Sequence, residues 1–360
     1  MTVHQDSATR PVDQAQLDEL LGRFVTDLGA TISAGNVILG DRLGLYRALA
    51  EAGPFTPTEL AAYTSTAERY VREWLAGQAA GRYVTYDTAS GQYSMTPEQA
   101  LAFAAPDGLA LPGAFELAAA CLADRPAIED AFRSGRGVAW GDHHADVFTG
   151  CERFYRPGYV ENLVSSWIPA VSGLVDRLTA GIRVADVGCG LGTSTRLVAN
   201  AFRASTVIGF DPHDRSIELA RSAAEAASQA NLCRFAVARA QDFPGTGFGL
   251  VATFDCLHDM GDPVSAARHI HTALADDGVW LIVEPFAGAT VVDNLTPVGR
   301  VYYSFSTFLC VPHAISEGAT DALGNQAGES AIADVVERAG FGNFRQVAQT
   351  PFNLVYAARP

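Results

Sequence analysis

The sequence predicts an α/β protein in which a doubly wound, mainly parallel sheet follows a smaller helical domain with a two-stranded wing. Three observations carry this. An apolar run ends in an acid and a triple-glycine turn, Arg183-Val-Ala-Asp-Val-Gly-Cys-Gly-Leu-Gly-Thr-Ser-Thr195. Downstream, short apolar runs separated by helical stretches recur, and Asp186, Asp211 and Asp242 stand at three successive strand ends. Upstream, helix-start signatures surround a strand–turn–strand segment.

Val184 to Val187 suit a buried strand and Thr193 to Thr195 the start of a helix. Gly188, Gly190 and Gly192 permit a tight turn and close approach of backbone to a bound nucleotide. A dinucleotide site uses G-x-G-x-x-G and helix N–H groups aimed at a pyrophosphate. Here the spacing is G-x-G-x-G and Asp186 precedes it, which suits a cationic ligand better. The stretch resembles motif I of the Rossmann-like (class I) S-adenosylmethionine (SAM)-dependent methyltransferases. That resemblance implies SAM as cofactor, with its amino-acid end near Asp186 and Gly188 and its ribose at Asp211, which closes the strand Val207 to Asp211. It places the adenine against Asp242, with Phe243 covering the ring, after a strand over Cys233 to Ala238. Further strands are expected at Leu250 to Phe254 and Val279 to Val283. Phe341 to Ala358 reads as two strands around Thr350-Pro351, matching the antiparallel hairpin that completes the family's seven-stranded sheet.

Residues 1–16 are expected to be a flexible tail. Leu17, Leu20, Leu21, Phe24, Leu28 and Ile32 then form one apolar helical stripe, and Val37, Leu39, Leu43, Tyr46 and Leu49 a second helix. Thr56-Pro-Thr-Glu59, Ser65-Thr-Ala-Glu68 and Thr96-Pro-Glu-Gln99 each fit a capping box. Arg82 to Tyr86 and Gln92 to Met95 alternate as strands, which makes residues 17–105 a winged helix. Its presumptive recognition helix, Ala67 to Ala80, sets Glu68 and Glu73 beside Arg69 and Arg72, a poor phosphate-binding surface. The segment resembles the dimerisation domain of small-molecule O-methyltransferases, and the whole chain is similar to an actinobacterial group of winged-helix methyltransferases. That implies a homodimer joined through residues 17–105. Residues 106–170 read as a helical connector supplying part of a substrate pocket, and 171–360 as the SAM-binding domain.

All 25 basic residues are arginine, against 40 acids, for a net charge of −15. With the cations scattered, nucleic acid is an unfavoured partner. The six cysteines are widely spaced and no secretory or membrane-length apolar segment stands out, so a cytoplasmic protein is expected.

Asp255-Cys-Leu-His258-Asp259-Met-Gly-Asp262-Pro263 follows the fourth strand of the sheet, at the edge where open α/β sheets bind ligands. It resembles the L-H-D-W-x-D segment of natural-product O-methyltransferases, with Met260 in place of Trp. There the His removes the substrate proton, work for which a near-neutral pKa suits imidazole. Glu284, closing the fifth strand, would stand beside His258 if the two strands are neighbours and hold its tautomer. The same resemblance gives Glu329 a comparable place, although an acid there also suits a helix N-terminus. His313 opens another reading, a divalent metal held by His258 and His313, as in some 2-oxo acid C-methyltransferases. A non-enzymatic reading, a SAM-sensing DNA-binding regulator, remains beside both. The acceptor expected is a small molecule of the kind found in secondary metabolism. Aromatic residues cluster at Phe154, Tyr155, Tyr159 and Trp167 and at Tyr302, Tyr303, Phe305 and Phe308, as pocket walls or as core and interface.

Overall fold

The first helix, α1 (Gln14–Arg42), begins where the Asp13 side chain accepts from the backbone N–H groups of Ala15 and Gln16. It therefore starts inside the expected tail. The computed structural model describes residues 11–105 and 108–360, so residues 1–10 of that tail and the break expected at Pro106 lie outside the described residues. α1 also absorbs Val37 and Leu39, which the sequence had assigned to a second helix. The chain breaks later, at Gly44 (φ 70°), before α2 (Leu45–Ala52). The continuous helix suits Gly40, where a Cβ would lie 2.4 Å from the Trp74 ring.

α3 (Pro57–Thr64) carries the expected capping box between Thr56 and Glu59. α4 (Glu68–Ala80) does not: Ser65, at φ 55°, closes α3, and Ala67 takes the N-cap of α4 with no side-chain bond. Glu68 thereby becomes the first helical residue rather than the third, out of reach for the reciprocal bond. The wing is β1 (Thr85–Asp87) paired antiparallel with β2 (Gln92–Ser94), and α5 (Pro97–Phe103) follows a second complete capping box at Thr96 and Gln99. Tyr46 packs against Trp74 and Phe103 at the centre of this unit, its hydroxyl donating to Gln78 Oε1 at 2.5 Å. On α4, Arg69 pairs with Glu73 and Arg72 with Glu68, each at 2.6 Å, so its cations are answered on the same helix.

The chain divides into compact units at Met1–Phe115 and Glu116–Pro360. α6 (Pro112–Ala123), α7 (Arg125–Ser134), α8 (Asp146–Asn162) and α9 (Leu174–Ala180) precede the sheet. β3 (Arg183–Val187), α10 (Thr193–Ala201), β4 (Thr206–Asp211), α11 (Asp214–Ala226) and β5 (Cys233–Val237) wind to one side. β6 (Phe248–Phe254), α12 (Pro263–Ala273) and β7 (Leu274–Pro285) wind to the other. α13 (Pro297–Phe305), α14 (Val311–Ser316) and α15 (Gly328–Arg338) lead to the hairpin β8 (Asn343–Gln349) and β9 (Asn353–Arg359). The seven strands lie in the order β5-β4-β3-β6-β7-β9-β8; β9 alone runs against the others, so its pairings with β7 and β8 are antiparallel and the remaining pairings parallel.

Alternation along β3 divides its side chains between two apolar layers. Val184 joins the layer of Val198 and Ile217, while Ala185 and Val187 join that of Phe210, Trp280 and Tyr356. β6 and β7 are almost wholly buried, as parallel strands covered on both faces must be. Between β4 and β6, β3 marks the point where the winding reverses, and its carboxyl end is where such sheets form a crevice. Among the described residues no helix is long and apolar enough to cross a membrane.

Gly192 closes the turn into α10 at φ 78°, and a Cβ there would lie 2.5 Å from Phe235. Gly192→Ala is expected to cost about 2 kcal/mol or more, from left-handed strain and overpacking together. Urea unfolding of the two proteins measures it; a midpoint unchanged from wild type would mean that this turn does not constrain the fold.

Candidate active site

Three segments meet at the carboxyl edge of the sheet. The turn Gly188 to Gly192 leaves β3, Asp211 closes β4, and a short helical turn at Leu257–Asp259 follows β6. Gly188 (φ 77°) lies so close to the Cys256 side chain that a Cβ would come within 2.6 Å of its sulfur. Gly190 (φ 50°) faces open space, and its N–H donates to Asp211 Oδ2 at 2.9 Å. The His213 N–H donates to the other carboxylate oxygen at 2.9 Å, so Asp211 is fixed at the crevice wall. Burial raises its pKa, with those two N–H groups working in the opposite direction. Gly188, Gly190, Asp211 and His258 line one cavity of roughly 1400 Å³ including its open mouth.

His258 is buried. Its Nδ1 lies 2.6 Å from Glu284 Oε2, while Glu284 Oε1 accepts from the Leu257 N–H at 3.0 Å. Parallel pairing of β6 with β7 sets Phe254 opposite Val283, so the residues just beyond are brought side by side. Burial alone would hold His258 neutral, but the Glu284 carboxylate and the neighbouring Cys310 thiol outweigh it and raise the imidazole well above its ordinary value. A carboxylate on Nδ1 orients the ring and stabilises its charged form, which a proton acceptor needs.

Several expected residues stand elsewhere. Asp186 is buried behind the turn, on the α10 side of β3, and its Oδ2 accepts from the Ser194 and Thr195 hydroxyls at 2.6 Å each. It ties the strand to the helix rather than opening onto the cavity, because strand alternation turns it towards α10. Phe243 is also in the core, stacked 5.1 Å from Phe210, and Asp242 pairs with Arg239 on the surface. Neither lines the cavity; Arg239, Ala240 and Gln241 do. The loop after β5 thus presents the preceding residues to the cavity, and Asp242 and Phe243, expected beside an adenine, stand outside its lining. Glu329 is exposed in the first turn of α15 and lines no part of the cavity, so the dipole of its own helix suffices to account for it.

His313 does share the cavity with His258. Its Nε2 lies 3.8 Å from Glu317 Oε1 and its Nδ1 has no hydrogen-bond partner. Among the described residues no group of three His, Cys, Asp or Glu side chains converges as metal ligands. Of the aromatic clusters, Tyr155, Tyr159 and Phe305 line the cavity, whereas Trp167 and Tyr302 are fully buried.

Asp255 was not singled out in the sequence. It follows β6 with φ 51° and is held by the Tyr159 hydroxyl, donating to Oδ2 at 2.8 Å, and by Asn353 Nδ2, donating to Oδ1 at 2.9 Å. A non-glycine residue in the left-handed region at a ligand-binding edge stores strain of about 1–3 kcal/mol. The available signal was its place as a further acid at a strand end. Asn325 was missed too, since nothing in its sequence context marks it; it is 3 % exposed, lines the cavity, and leaves its Oδ1 without a partner.

The N-terminal unit matches the Rv2258c-like winged HTH domain over residues 31–104, and residues 185–280 match a methyltransferase domain. The chain carries a winged helix-turn-helix domain and a methyltransferase domain. No curated protein matches the sequence. Solved structures share its fold across almost the full length. Human N-acetylserotonin methyltransferase in complex with SAM is similar at TM-score 0.70 and 18% identity, covering 99% of each chain. An O-methyltransferase family protein from Burkholderia thailandensis is similar at TM-score 0.68 and 17% identity, covering 97% of this chain and 99% of its own. An O-methyltransferase from neocarzinostatin biosynthesis, in complex with S-adenosyl-L-homocysteine and 1,4-dihydroxy-2-naphthoic acid, is similar at TM-score 0.62 and 17% identity, covering 94% and 98%. At these identities the likeness is one of fold. The methyltransferase domain of this chain thus has the Rossmann-like sheet, with the glycine turn at the place such folds reserve for a ligand.

Burial pushes Asp255 up to about 8, with repulsion from Glu284 adding to it, and pushes Asp259 up to about 6. Folded values above the ordinary ~3.9 of Asp mean that the associated stability is complete below about pH 4 and is lost as pH rises through the folded values. Asp255→Asn is therefore expected to gain stability relative to wild type between about pH 4 and 8. Urea midpoints across that range test it; a difference independent of pH would place Asp255 in a solvated site.

Proposed function

We propose that this chain is a SAM-dependent methyltransferase of a small-molecule acceptor, in which His258, oriented by Glu284, takes the acceptor's proton and the methyl group passes to oxygen. The observation that carries the reading is the buried His258–Glu284 pair opening onto the same cavity as Gly188, Gly190 and Asp211. The cradle fits the cofactor in chemistry as well as shape. Gly190 leaves space where any side chain would intrude, and Asp211 presents a carboxylate of the kind that accepts from ribose hydroxyls. SAM supplies a methyl group on a sulfonium. Gly188 and Gly190 would hold its amino-acid end, Asp211 its ribose, and Arg239 to Gln241 the adenine side of the cavity, with Asp186 bracing the turn from behind.

The chain's own contribution is alignment and proton removal. Closing the acceptor into a largely apolar cavity excludes water and aligns it, which can supply much of the rate. His258 Nδ1 is committed to Glu284, so the ring presents its other edge to the acceptor, beside Cys310. The similar structures, an N-acetylserotonin methyltransferase and an O-methyltransferase in complex with 1,4-dihydroxy-2-naphthoic acid, support an aromatic hydroxyl as the group methylated. Paired arginines on α4 weigh against a DNA-binding regulator.

His258→Ala is expected to retain SAM binding and lose turnover by about 10²-fold or more. Asp211→Ala should weaken SAM by roughly tenfold or more, the loss of hydrogen bonds to a charged acceptor. Calorimetry with SAM, together with mass spectrometry of products from labelled SAM and a library of phenols, reads both effects. Near-normal turnover in His258→Ala would remove the histidine from the mechanism, and unchanged SAM affinity in Asp211→Ala would remove the ribose assignment.

We also propose that the protein is a homodimer joined through its N-terminal unit. Leu20, Leu21, Phe24, Val25, Leu28 and Ile32 on α1 remain 48–69% exposed, an apolar face of the size that marks interfaces. Replacing Phe24 and Leu28 by Glu together should give a folded monomer by light scattering. A dimer that persists at micromolar concentration would locate the interface elsewhere.

A further inference from the structure

We propose that the acceptor bound in this cavity carries a protonated amine, recognised by Asp255 and Asp259 beside the rings of Tyr155 and Tyr159, and that carboxylated acceptors are rejected. The inference rests on the methyltransferase reading and names its substrate class. Asp255 and Asp259 both line the cavity within three residues of His258. Asp255 is locked in place through Tyr159 and Asn353, in a strained backbone conformation that keeps its carboxyl at the cavity wall. Asp259 accepts no side-chain hydrogen bond from any described residue; His258, His313, Glu284 and Glu317 are the charged groups around it. Asn325, almost wholly buried, adds an acceptor oxygen that has no donor in the protein. This wall is therefore built of acceptors, with more lone pairs than the protein fills.

The arginine that could answer an anion is already committed. Arg239, the one arginine lining the cavity among the described residues, is held by Asp242. His258 is held by Glu284, and His313 sits beside Glu317. A 2-oxo acid or other carboxylate would meet no free arginine among the described residues and would set its charge beside the carboxyl groups of Asp255, Asp259 and Glu317, which costs most where water is excluded. An ammonium group does the reverse. It supplies the counter-charge that the two aspartates lack, and the stacked faces of Tyr155 and Tyr159, 6.1 Å apart, favour a cation further. Burial raises the pKa values of both aspartates, and among the described residues neither has a cation fixed against it by a hydrogen bond.

Organic cations reach this edge from two sources, the acceptor and the amino-acid end of the cofactor. Three phenols of nearly equal size separate the possibilities: tyramine, tyrosol and 4-hydroxyphenylacetate. Their binding to the full-length protein loaded with S-adenosylhomocysteine is measured by calorimetry. Tyramine is expected to bind about tenfold or more tightly than 4-hydroxyphenylacetate, with tyrosol between, since a hydrogen bond to a charged group carries that much. Asp255→Asn, which tolerates the left-handed backbone, and Asp259→Asn should each reduce that ratio while leaving S-adenosylhomocysteine affinity within about twofold. Equal or tighter binding of 4-hydroxyphenylacetate, or no discrimination among the three, overturns the proposal. So does a loss of S-adenosylhomocysteine affinity in Asp255→Asn with the tyramine preference intact, which would give the carboxyl to the cofactor. Failure of the unsubstituted protein to bind S-adenosylhomocysteine would instead strike the methyltransferase reading, and the preference among phenols could still be read on the unloaded protein.

Discussion

The parallel pairing of β6 and β7 is the constraint on which the candidate site depends. Backbone hydrogen bonding sets Phe254 opposite Val283, and one step beyond that register the chain leaves β6 for the His258 turn while β7 continues to Glu284. Two residues far apart in sequence are thereby held at 2.6 Å without any flexible segment between them and the sheet. Sites carried by rigid elements hold their geometry more closely than sites on loops. The same sheet edge supplies Asp211 from β4 and the glycine turn from β3, so the turn, Asp211 and His258 are positioned by one hydrogen-bonded frame.

That frame also explains why so many acids coexist there. Burial opposes ionisation, and each carboxylate is met in its own way. Backbone N–H groups meet Asp211, hydroxyls meet Asp186, and an imidazole meets Glu284. Asp255 receives only neutral donors, from Tyr159 and Asn353, and Asp259 receives none among the side chains described. The first three are each answered by a hydrogen-bond partner within the protein. The remaining two are the basis of the proposed preference for a cationic over an anionic acceptor.

The two units place their apolar surface differently. In the methyltransferase domain both faces of the sheet are covered, and β6 and β7 show almost no exposed residue. In the N-terminal unit, α1 packs Val37 and Gly40 inward near its end yet leaves most of its earlier turns uncovered. An apolar helix of 29 residues gains little stability from propensity alone and needs a surface to bury its stripe. This is why the helix is read as an assembly element rather than as part of a core.

The sequence by itself determined the fold class, the succession of strands and helices, the wing and the glycine turn, and it placed Glu284 beside His258 on the condition, met in the fold, that β6 and β7 are neighbours. Each of these is legible because it rests on local chemistry: alternation, capping residues, glycine at positive φ, and an acid or imidazole at a strand end. What it could not reveal was where side chains point once strands and loops are packed. Asp186 shares the acidic strand-end signature of Asp211, but alternation turns it into the α10 layer. Asp242 and Phe243 follow a strand as expected, yet Phe243 is drawn into the core by Phe210, carrying the pair away from the cavity. Glu329 lies exposed in the first turn of its helix, outside the cavity lining, and the left-handed Ser65 shifted a capping box by two residues. Asp255 needed Tyr159 and Asn353, nearly a hundred residues away on either side, before its role could be seen. Local pattern specifies elements, whereas the identity of a cavity wall is a property of long-range packing, decided only when the elements meet.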